Sequence, residues 1–207
     1  RARDRVRNRA LLRQLTWART LSLARATVPS WTFLRRLKHL ERLDVSRTRI
    51  PNLKPLARLT QLQELDLSHT RVTDLRPLSR LNQLRVLDLS DTRVTDLSAL
   101  KGRHLDRLTL GQPGAKRLPD LRPLASVQRL TLRHAPAGLD LRPLDRLPIR
   151  GLQLDGTSIR QLTTLHGNTT LQRLSLRNTR VPVTEVRALL RKAPGMTVVL
   201  PKGRTVG

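Results

Sequence analysis

The chain has 207 residues, of which 38% are apolar, and its only aromatic residues are Trp17, Trp31 and Phe33. This composition argues against a thick globular core and favours an elongated repeat domain, whose narrow core leucine alone can fill. The formal net charge of +26 attracts polyanions over a long range, and the absence of cysteine excludes disulfides and thiolate metal sites and fits a reducing compartment.

The first 17 residues precede the repeated part of the sequence and are rich in arginine. Apolar residues such as Val6, Leu11 and Leu12 predict a short helical cap over residues 1–17, which covers the first repeat. No apolar run follows it, so we expect neither a secretion signal nor a membrane span. Because the sequence starts at Arg1 rather than at a methionine, we expect it to be part of a larger protein.

A unit of 22 residues repeats over residues 18–181. Leucine or another apolar residue occupies unit positions 1, 4, 6, 11, 14, 17 and 20. Eight units are predicted, and they open at residues 18, 40, 62, 84, 105, 127, 149 and 171. The fourth unit is one residue short and residues 111–118 break the pattern, so we expect irregular loops there.

Two spacings within the unit predict its structure. In the stretch LDLS, alternate leucines face one side of a short strand, and the aspartate and serine face the other. In the stretch DLxPLxxL, leucines three residues apart predict a helical or 3₁₀ turn, with Asp74 or Asp96 capping its first amides. Stacked units of this kind form an α/β solenoid, an arc with a parallel concave sheet and short helical or 3₁₀ turns on its convex side.

Residues 182–207 follow the last unit and are predicted to cap the other end of the solenoid. The segment from Thr184 to Lys192 predicts a helix that begins with a threonine N-cap. The segment from Met196 to Leu200 predicts a strand that covers the open edge of the sheet.

The consensus LxxLDLSxTRVTDLxPLxxL resembles the 22-residue, internalin-like class of bacterial leucine-rich repeats, in which threonine replaces the asparagine of other classes. The resemblance covers residues 18–181. It implies a module that recognises a protein or another ligand, often as the sensor arm of a larger protein that carries effector or nucleotide-binding domains.

The predicted concave face changes sign along its length. Unit position 5 points away from the core, and it is aspartate in three consecutive units, as Asp44, Asp66 and Asp88. At positions 3 and 7 of the later units the same face carries Arg107, Arg129, Arg133, Arg173 and Arg177. One interpretation is a solvated polar surface that Arg42 and its neighbours partly neutralise. The other is a bipolar docking surface that orients a partner of complementary charge.

Thr-Arg pairs occupy unit positions 9 and 10 in three consecutive units, and their arginines are Arg49, Arg71 and Arg93. A row of arginines can grip a carboxylate or a phosphate, although duplication of the unit also explains the repetition. The threonine hydroxyls are predicted to form hydrogen bonds along the turn.

Asp66, Ser68, His69 and Asp91 are the residue types of a catalytic triad, but we predict that they are not catalytic. Ser68 and His69 are adjacent in sequence, nothing supplies an oxyanion hole, and the face is open to water. His69 and Asp91 are instead assigned to the candidate partner-binding face. His69 and His134 occupy equivalent places in units ~14 Å apart by strand spacing, which is too far for a shared metal ion.

We therefore predict no enzymatic activity, no metal and no cofactor. The preferred interpretation is a cytoplasmic recognition module that binds a protein, does not enter a membrane, and acts as the sensing or scaffold arm of a larger bacterial protein or assembly. The alternative is nonspecific binding of nucleic acid or another polyanion through arginine-rich surfaces. Against nucleic acid stands the lack of a helix-turn-helix, a zinc finger or an aromatic stacking platform.

Overall fold

The computed structural model describes residues 15–200 and 205–206. Most of the helical cap predicted for residues 1–17 lies outside the described residues, which include only a 3₁₀ turn at Leu15–Trp17. The described residues form one ten-stranded sheet in which every strand lies beside its neighbour in sequence.

One strand comes from each of the eight predicted units, and two more follow at the carboxyl end of the chain. They are β1 (Thr20–Ser22), β2 (Arg42–Asp44), β3 (Glu64–Asp66), β4 (Val86–Asp88), β5 (His104–Leu110), β6 (Ser126–Leu132), β7 (Ile149–Gln153), β8 (Arg173–Ser175), β9 (Thr197–Val199) and β10 (Thr205–Val206). The first nine strands are parallel, and β10 pairs with β9 in the antiparallel sense. The predicted solenoid fold is confirmed.

Each residue of a strand pairs with the residue at the same unit position in the next strand. Leu43 is paired with Leu65, Leu65 with Leu87, and Leu87 with Leu108, so position 4 forms a continuous row of leucines. Leu65 and Leu87 are buried in a single core that runs the length of the solenoid. Because side chains alternate along a strand, positions 3 and 5 on either side of this row face the concave surface.

The return across the convex side is made by short 3₁₀ helices. Their bounds are Thr32–Arg36, Lys54–Leu56, Arg76–Leu78, Ser98–Leu100, Arg142–Leu144 and Thr163–Leu165. Asp74 Oδ1 accepts the amide of Arg76 at 2.9 Å, and Asp96 Oδ1 accepts the amide of Ser98 at 2.7 Å, which confirms the predicted capping. Trp31 replaces leucine at its unit position and is buried as leucine is.

The turn that follows a strand has a left-handed residue at unit position 8 in seven of the eight units, and Gln112 is the exception. His69, Asp91 and His134 have φ values of 55°, 55° and 54° there. After His69 and Asp91 the next residue is a buried threonine whose hydroxyl donates to the carbonyl three residues earlier, as Thr70 does to Leu67 at 2.6 Å. Ala135 takes this place after His134. This bond confirms the structural role predicted for the threonines. Their hydroxyls stabilise the turn by bonding to its own backbone.

The carboxyl-terminal helix α1 spans Val183–Lys192, and its predicted threonine cap is wrong. Pro182 is the N-cap residue, and no side chain caps the helix. The Pro182 carbonyl already accepts the amides of Glu185 and Val186, so Thr184 stands inside the first turn. Glu185 Oε2 accepts the amide of Leu162 at 2.8 Å and ties the helix to the preceding unit.

The segment after β5 is irregular, as its sequence predicts. Gly111 has a φ of 150°, and no helix or strand runs from there to residue 118. Within this segment, Arg117 forms an isolated parallel bridge with Asp140. Across the part of the chain that the structure describes, no helix has both the length and the apolar character needed to cross a membrane.

Candidate functional site on the concave sheet

The concave face consists of two rows of side chains that stack across the sheet. Residues at unit position 3 pair in register from β1 to β9 and form the outer row: Thr20, Arg42, Glu64, Val86, Arg107, Arg129, Gly151, Arg173 and Thr197. Residues at position 5 form the parallel row: Ser22, Asp44, Asp66, Asp88, Thr109, Thr131, Gln153, Ser175 and Val199. The sheet therefore holds the predicted acidic and basic groups at fixed spacing.

The three aspartates of the acidic half also shape the turn beneath them. Oδ1 of Asp44 accepts the amide of Ser46 at 2.9 Å, and Oδ1 of Asp66 accepts the amide of Ser68 at 2.8 Å. Asp88 accepts the amide of Ser90 in the same way at 2.8 Å. Each aspartate thus stabilises the end of its strand, a role that the sequence analysis did not assign to it.

Burial is the main cause that raises the pKa of Asp66 above its ordinary value of 3.8. Hydrogen bonds from the Ser68 hydroxyl and amide act in the opposite direction, and the like charges of Asp88 and Asp44 raise the pKa further. The acidic row is consequently a place where negative charge is crowded and partly desolvated.

The arginines near the acidic half pair with glutamates, and not with the aspartates that they were predicted to neutralise. Arg42 Nε lies 3.3 Å from Glu64 Oε1, and Arg19 pairs with Glu41, so each arginine binds a glutamate one unit further along. Arg42 has no ion pair with an aspartate of the row. The aspartates therefore keep a net negative field on the concave surface.

The basic half has no such pairing. Arg107, Arg129, Arg173 and Arg177 are exposed and line one groove of about 780 Å³. None of these four guanidiniums lies within 4.0 Å of a carboxylate in the described residues. Arg107 and Arg129 also line the adjoining groove over Asp44, Asp66 and Asp88, so the two halves form one continuous surface. The predicted sign change along the concave face is present in the structure.

Arg133 lies apart from the other predicted arginines. It borders the groove over the aspartates, but it does not line the basic groove. The row of Arg49, Arg71 and Arg93 is exposed beyond the turn and lines neither groove. The predicted site residues thus divide into a concave set and an edge row.

Four residues at unit position 8 form a contact network along one edge of the concave face. His69 Nδ1 lies 3.0 Å from Asp91 Oδ2, and His134 Nε2 lies 3.6 Å from the same oxygen. Arg47 Nη2 lies 2.8 Å from His69 Nε2. Because a guanidinium can only donate, His69 Nε2 accepts and its proton sits on Nδ1, which donates to Asp91.

This network corrects the predicted separation of the two histidines. The value of ~14 Å counted strand spacings between backbones, whereas both imidazole side chains lean along the stack toward Asp91. Gln112 occupies the unit between those of Asp91 and His134. Its side-chain amide donates to the Thr92 carbonyl and so does not stand between Asp91 and His134. Within the described ranges, no group of three or more His, Asp or Glu side chains has an arrangement that could hold a metal ion.

The triad residue types do not assemble into a triad. Ser68 donates its amide to Asp66, while His69 bonds to Arg47 and Asp91. A serine nucleophile needs an imidazole acceptor within hydrogen-bond reach, and here that acceptor is already occupied by a guanidinium. These side chains form a polar surface network.

Two residues in the basic groove, Gly151 and Asp155, are not among the predicted site residues. Gly151 occupies position 3 between Arg129 and Arg173, and it was visible in the repeat alignment as a missing arginine. Asp155 accepts the amide of Arg177 at 2.8 Å and the hydroxyl of Ser175 at 2.6 Å. The bonds of Asp155 cross between units, so the repeat pattern carried no signal for them.

A family model described as Leucine Rich repeats (2 copies) matches residues 60–102. No curated protein sequence is significantly similar to the chain. Among solved structures, an internalin (inlF) from Listeria monocytogenes aligns with a TM-score of 0.58 and 19% identity, over 94% of this chain and 64% of its own. This chain therefore spans less than two thirds of that internalin.

Two further structures share the fold. Human 5T4, a trophoblast glycoprotein, aligns with a TM-score of 0.64 and 24% identity over 89% of this chain and 77% of its own. A TLR13–ssRNA13 complex aligns with a TM-score of 0.61 and 18% identity over 93% of this chain and 34% of its own. Together with the nine parallel strands in one-unit register, these matches show that the described residues have the leucine-rich-repeat solenoid fold.

Proposed function

We propose that the chain is a non-catalytic recognition module that binds a partner protein on its concave face. The observation that carries the proposal is the junction of two oppositely charged halves on one sheet. Asp44, Asp66 and Asp88 line a groove that continues past Arg107 and Arg129. A partner with a basic patch beside an acidic patch would match both halves in only one orientation.

The mixed charge favours a folded protein over a uniform polyanion. A nucleic acid strand that follows the groove would place phosphates over the acidic half, where like charges repel it. Stacking platforms for bases are also lacking, because Trp17 is the only large aromatic side chain exposed in the described residues. The leucine-rich-repeat solenoids that share this fold are consistent with a binding module.

A second candidate is nonspecific binding of nucleic acid at the edge row. Arg49, Arg71 and Arg93 are exposed on consecutive units, and the net charge of +26 draws phosphates toward any such row. The structure that contains ssRNA13 shows only that another leucine-rich-repeat solenoid has been captured with RNA.

We also propose that the module has no catalytic activity. Around His69 the described side chains offer no nucleophile and base in hydrogen-bond contact. We also propose a cytoplasmic location, which the cysteine-free sequence supports, and a role as the arm of a larger bacterial protein or assembly.

Affinity capture with charge-matched variants tests the proposed surface. The concave variant carries Arg107→Glu, Arg129→Glu and Arg173→Glu. Its control carries Arg58→Glu, Arg80→Glu and Arg146→Glu, three exposed arginines beside the convex 3₁₀ turns.

Both variants change the net charge equally, so a difference between them reports position. We expect a protein from nuclease-treated extract of the native cell to bind the wild type and the convex control and to be lost from the concave variant. Equal retention by all three would reject the concave face as the docking surface.

A further inference from the structure

Gly151 interrupts the row of arginines at unit position 3. It is paired in register with Arg129 on one side and with Arg173 on the other, and Arg107 continues the row beyond Arg129. Because glycine has no side chain, the row has a gap between Arg129 and Arg173, which we call the notch. The Cγ atom of Arg129 borders it, 3.8 Å from the place that a Cβ of Gly151 would take.

The strand spacing at the notch leaves room for one oxyanion between the side chains of Arg129 and Arg173. Two strand spacings separate the backbones of Arg129 and Arg173, or about 9.6 Å. Charge-assisted hydrogen bonds of about 2.8 Å from a guanidinium on each side of a carboxylate fit within this span. An arginine or any long side chain in place of Gly151 would occupy the same space.

No acidic group of the described residues occupies the notch. Asp155 is the nearest carboxylate of the concave row, but Ser175, Arg177 and Gln153 already donate to its oxygens. Asp106 lies on the rim of the groove and forms no ion pair with a described arginine. The positive potential between Arg129 and Arg173 is therefore left for an external anion.

We propose that the notch over Gly151 receives a carboxylate from an acidic segment of the partner protein, clamped between Arg129 and Arg173. This inference rests on the proposed function and specifies the partner's chemistry at one point. An acidic protein segment fits better than a nucleic acid, because the same face turns acidic at Asp88, only two strands from Arg129. A short acidic segment ends before that boundary, whereas a continuous polyanion crosses it.

The substitution Gly151→Glu supplies the notch with a carboxylate from the chain itself and removes no arginine. The Cβ atom added at Gly151 would meet its nearest neighbour, the Gln128 carbonyl oxygen, at 3.6 Å, which is ordinary contact. Gly138→Glu is the matched control, because it adds the same charge outside both grooves at a glycine with nothing within 4 Å of the added Cβ. Thermal unfolding of both variants checks that they remain folded.

The probe is a fluorescent octaglutamate peptide, with an oligothymidylate of equal charge as its competitor, measured by anisotropy at fixed salt. We expect Gly151→Glu to weaken octaglutamate binding at least about tenfold and Gly138→Glu to leave it within about twofold. Equal weakening by both variants would overturn the notch proposal, because it would show that octaglutamate binding responds to net charge alone. Tighter binding of the oligothymidylate with the same dependence on Gly151 would assign the notch to nucleic acid and overturn the peptide proposal.

Failure of the notch and failure of the proposed function give different results. If only the notch proposal is wrong, the concave triple variant loses the captured protein while Gly151→Glu retains it. If only the proposed function is wrong, Gly151→Glu still loses octaglutamate, but no protein depends on the concave arginines.

Discussion

His69 donates from Nδ1 to Asp91 Oδ2 across a distance of 3.0 Å, which links two neighbouring repeats. The opposite nitrogen of the imidazole accepts from Arg47, so neither nitrogen is free to act as a base toward Ser68. Among the side chains that look like parts of a catalytic triad in the sequence, His69 and Asp91 are engaged in a contact between repeats.

We therefore expect no hydrolase activity from this chain. A panel of ester, phosphoester and peptide substrates should show no turnover above background with the wild type, and His69→Ala should behave identically. Turnover that disappears in His69→Ala would contradict the contact network described above.

Leu87→Ala should destabilise the solenoid by roughly 2 to 5 kcal/mol, because Leu87 is fully buried and its removal leaves a cavity between units. The free energy of unfolding from urea titration measures this cost. Leu21 takes the same unit position in the first unit but is only partly buried, so Leu21→Ala should cost less. A cost for Leu87→Ala below about 1 kcal/mol would be incompatible with the register.

Gly111→Ala should destabilise the chain by at least about 1 kcal/mol. Gly111 has a φ of 150°, and a Cβ there would lie 2.1 Å from the backbone oxygen of Arg133, so the backbone itself must shift. Gly138→Ala is the control, since nothing lies within 4 Å of its Cβ. Equal melting temperatures for the two variants would show that the irregular segment does not depend on Gly111.

Asp66→Asn should stabilise the chain slightly at neutral pH, because solvent screens the charge of a half-exposed group. Burial raises the pKa of Asp66 in the folded state, so the folded chain holds this proton more tightly than the unfolded chain does. Stability then falls as the pH rises from the unfolded value of 3.8 through the raised folded value. The advantage of Asp66→Asn should accordingly vanish at pH values below 3.8.

Asp74→Asn serves as the control of opposite sign. Hydrogen bonds from Arg76 lower the pKa of Asp74, so its charge stabilises the folded chain above 3.8 and this contribution is lost as the pH falls through the lower folded value. Asp74→Asn should therefore destabilise at neutral pH. The same sign for both variants across the pH series would refute the assignment.

The arginines of the basic groove should separate into two kinetic classes when the captured partner is measured by surface binding. Arg107→Ala should mainly slow association and reduce its dependence on salt, because an exposed charge beside the notch acts through long-range attraction. Arg129→Ala should mainly speed dissociation, because it removes one side of the clamp over Gly151. Purely slower association in both variants would place Arg129 among the steering charges.

Much of the fold followed from spacing alone. A period of 22 residues with apolar positions in phase determines which side chains stack, because each unit can bury its leucines only against the units before and after it. The aspartate and arginine rows of the concave face follow from the same reasoning, since positions 3 and 5 flank a buried leucine. The capping by Asp74 and the threonine bonds along the turn are local and were equally predictable.

Contacts between side chains of different units were decided by the tertiary structure. The convergence of His69 and His134 on Asp91 depends on how far each side chain leans along the stack and on where Gln112 turns, and neither is encoded in a periodic pattern. The helix cap at Pro182 likewise depended on which carbonyl met the first amides. Periodicity specifies which face of the sheet a residue occupies, whereas its partners there depend on rotamers and backbone turns set by neighbouring units.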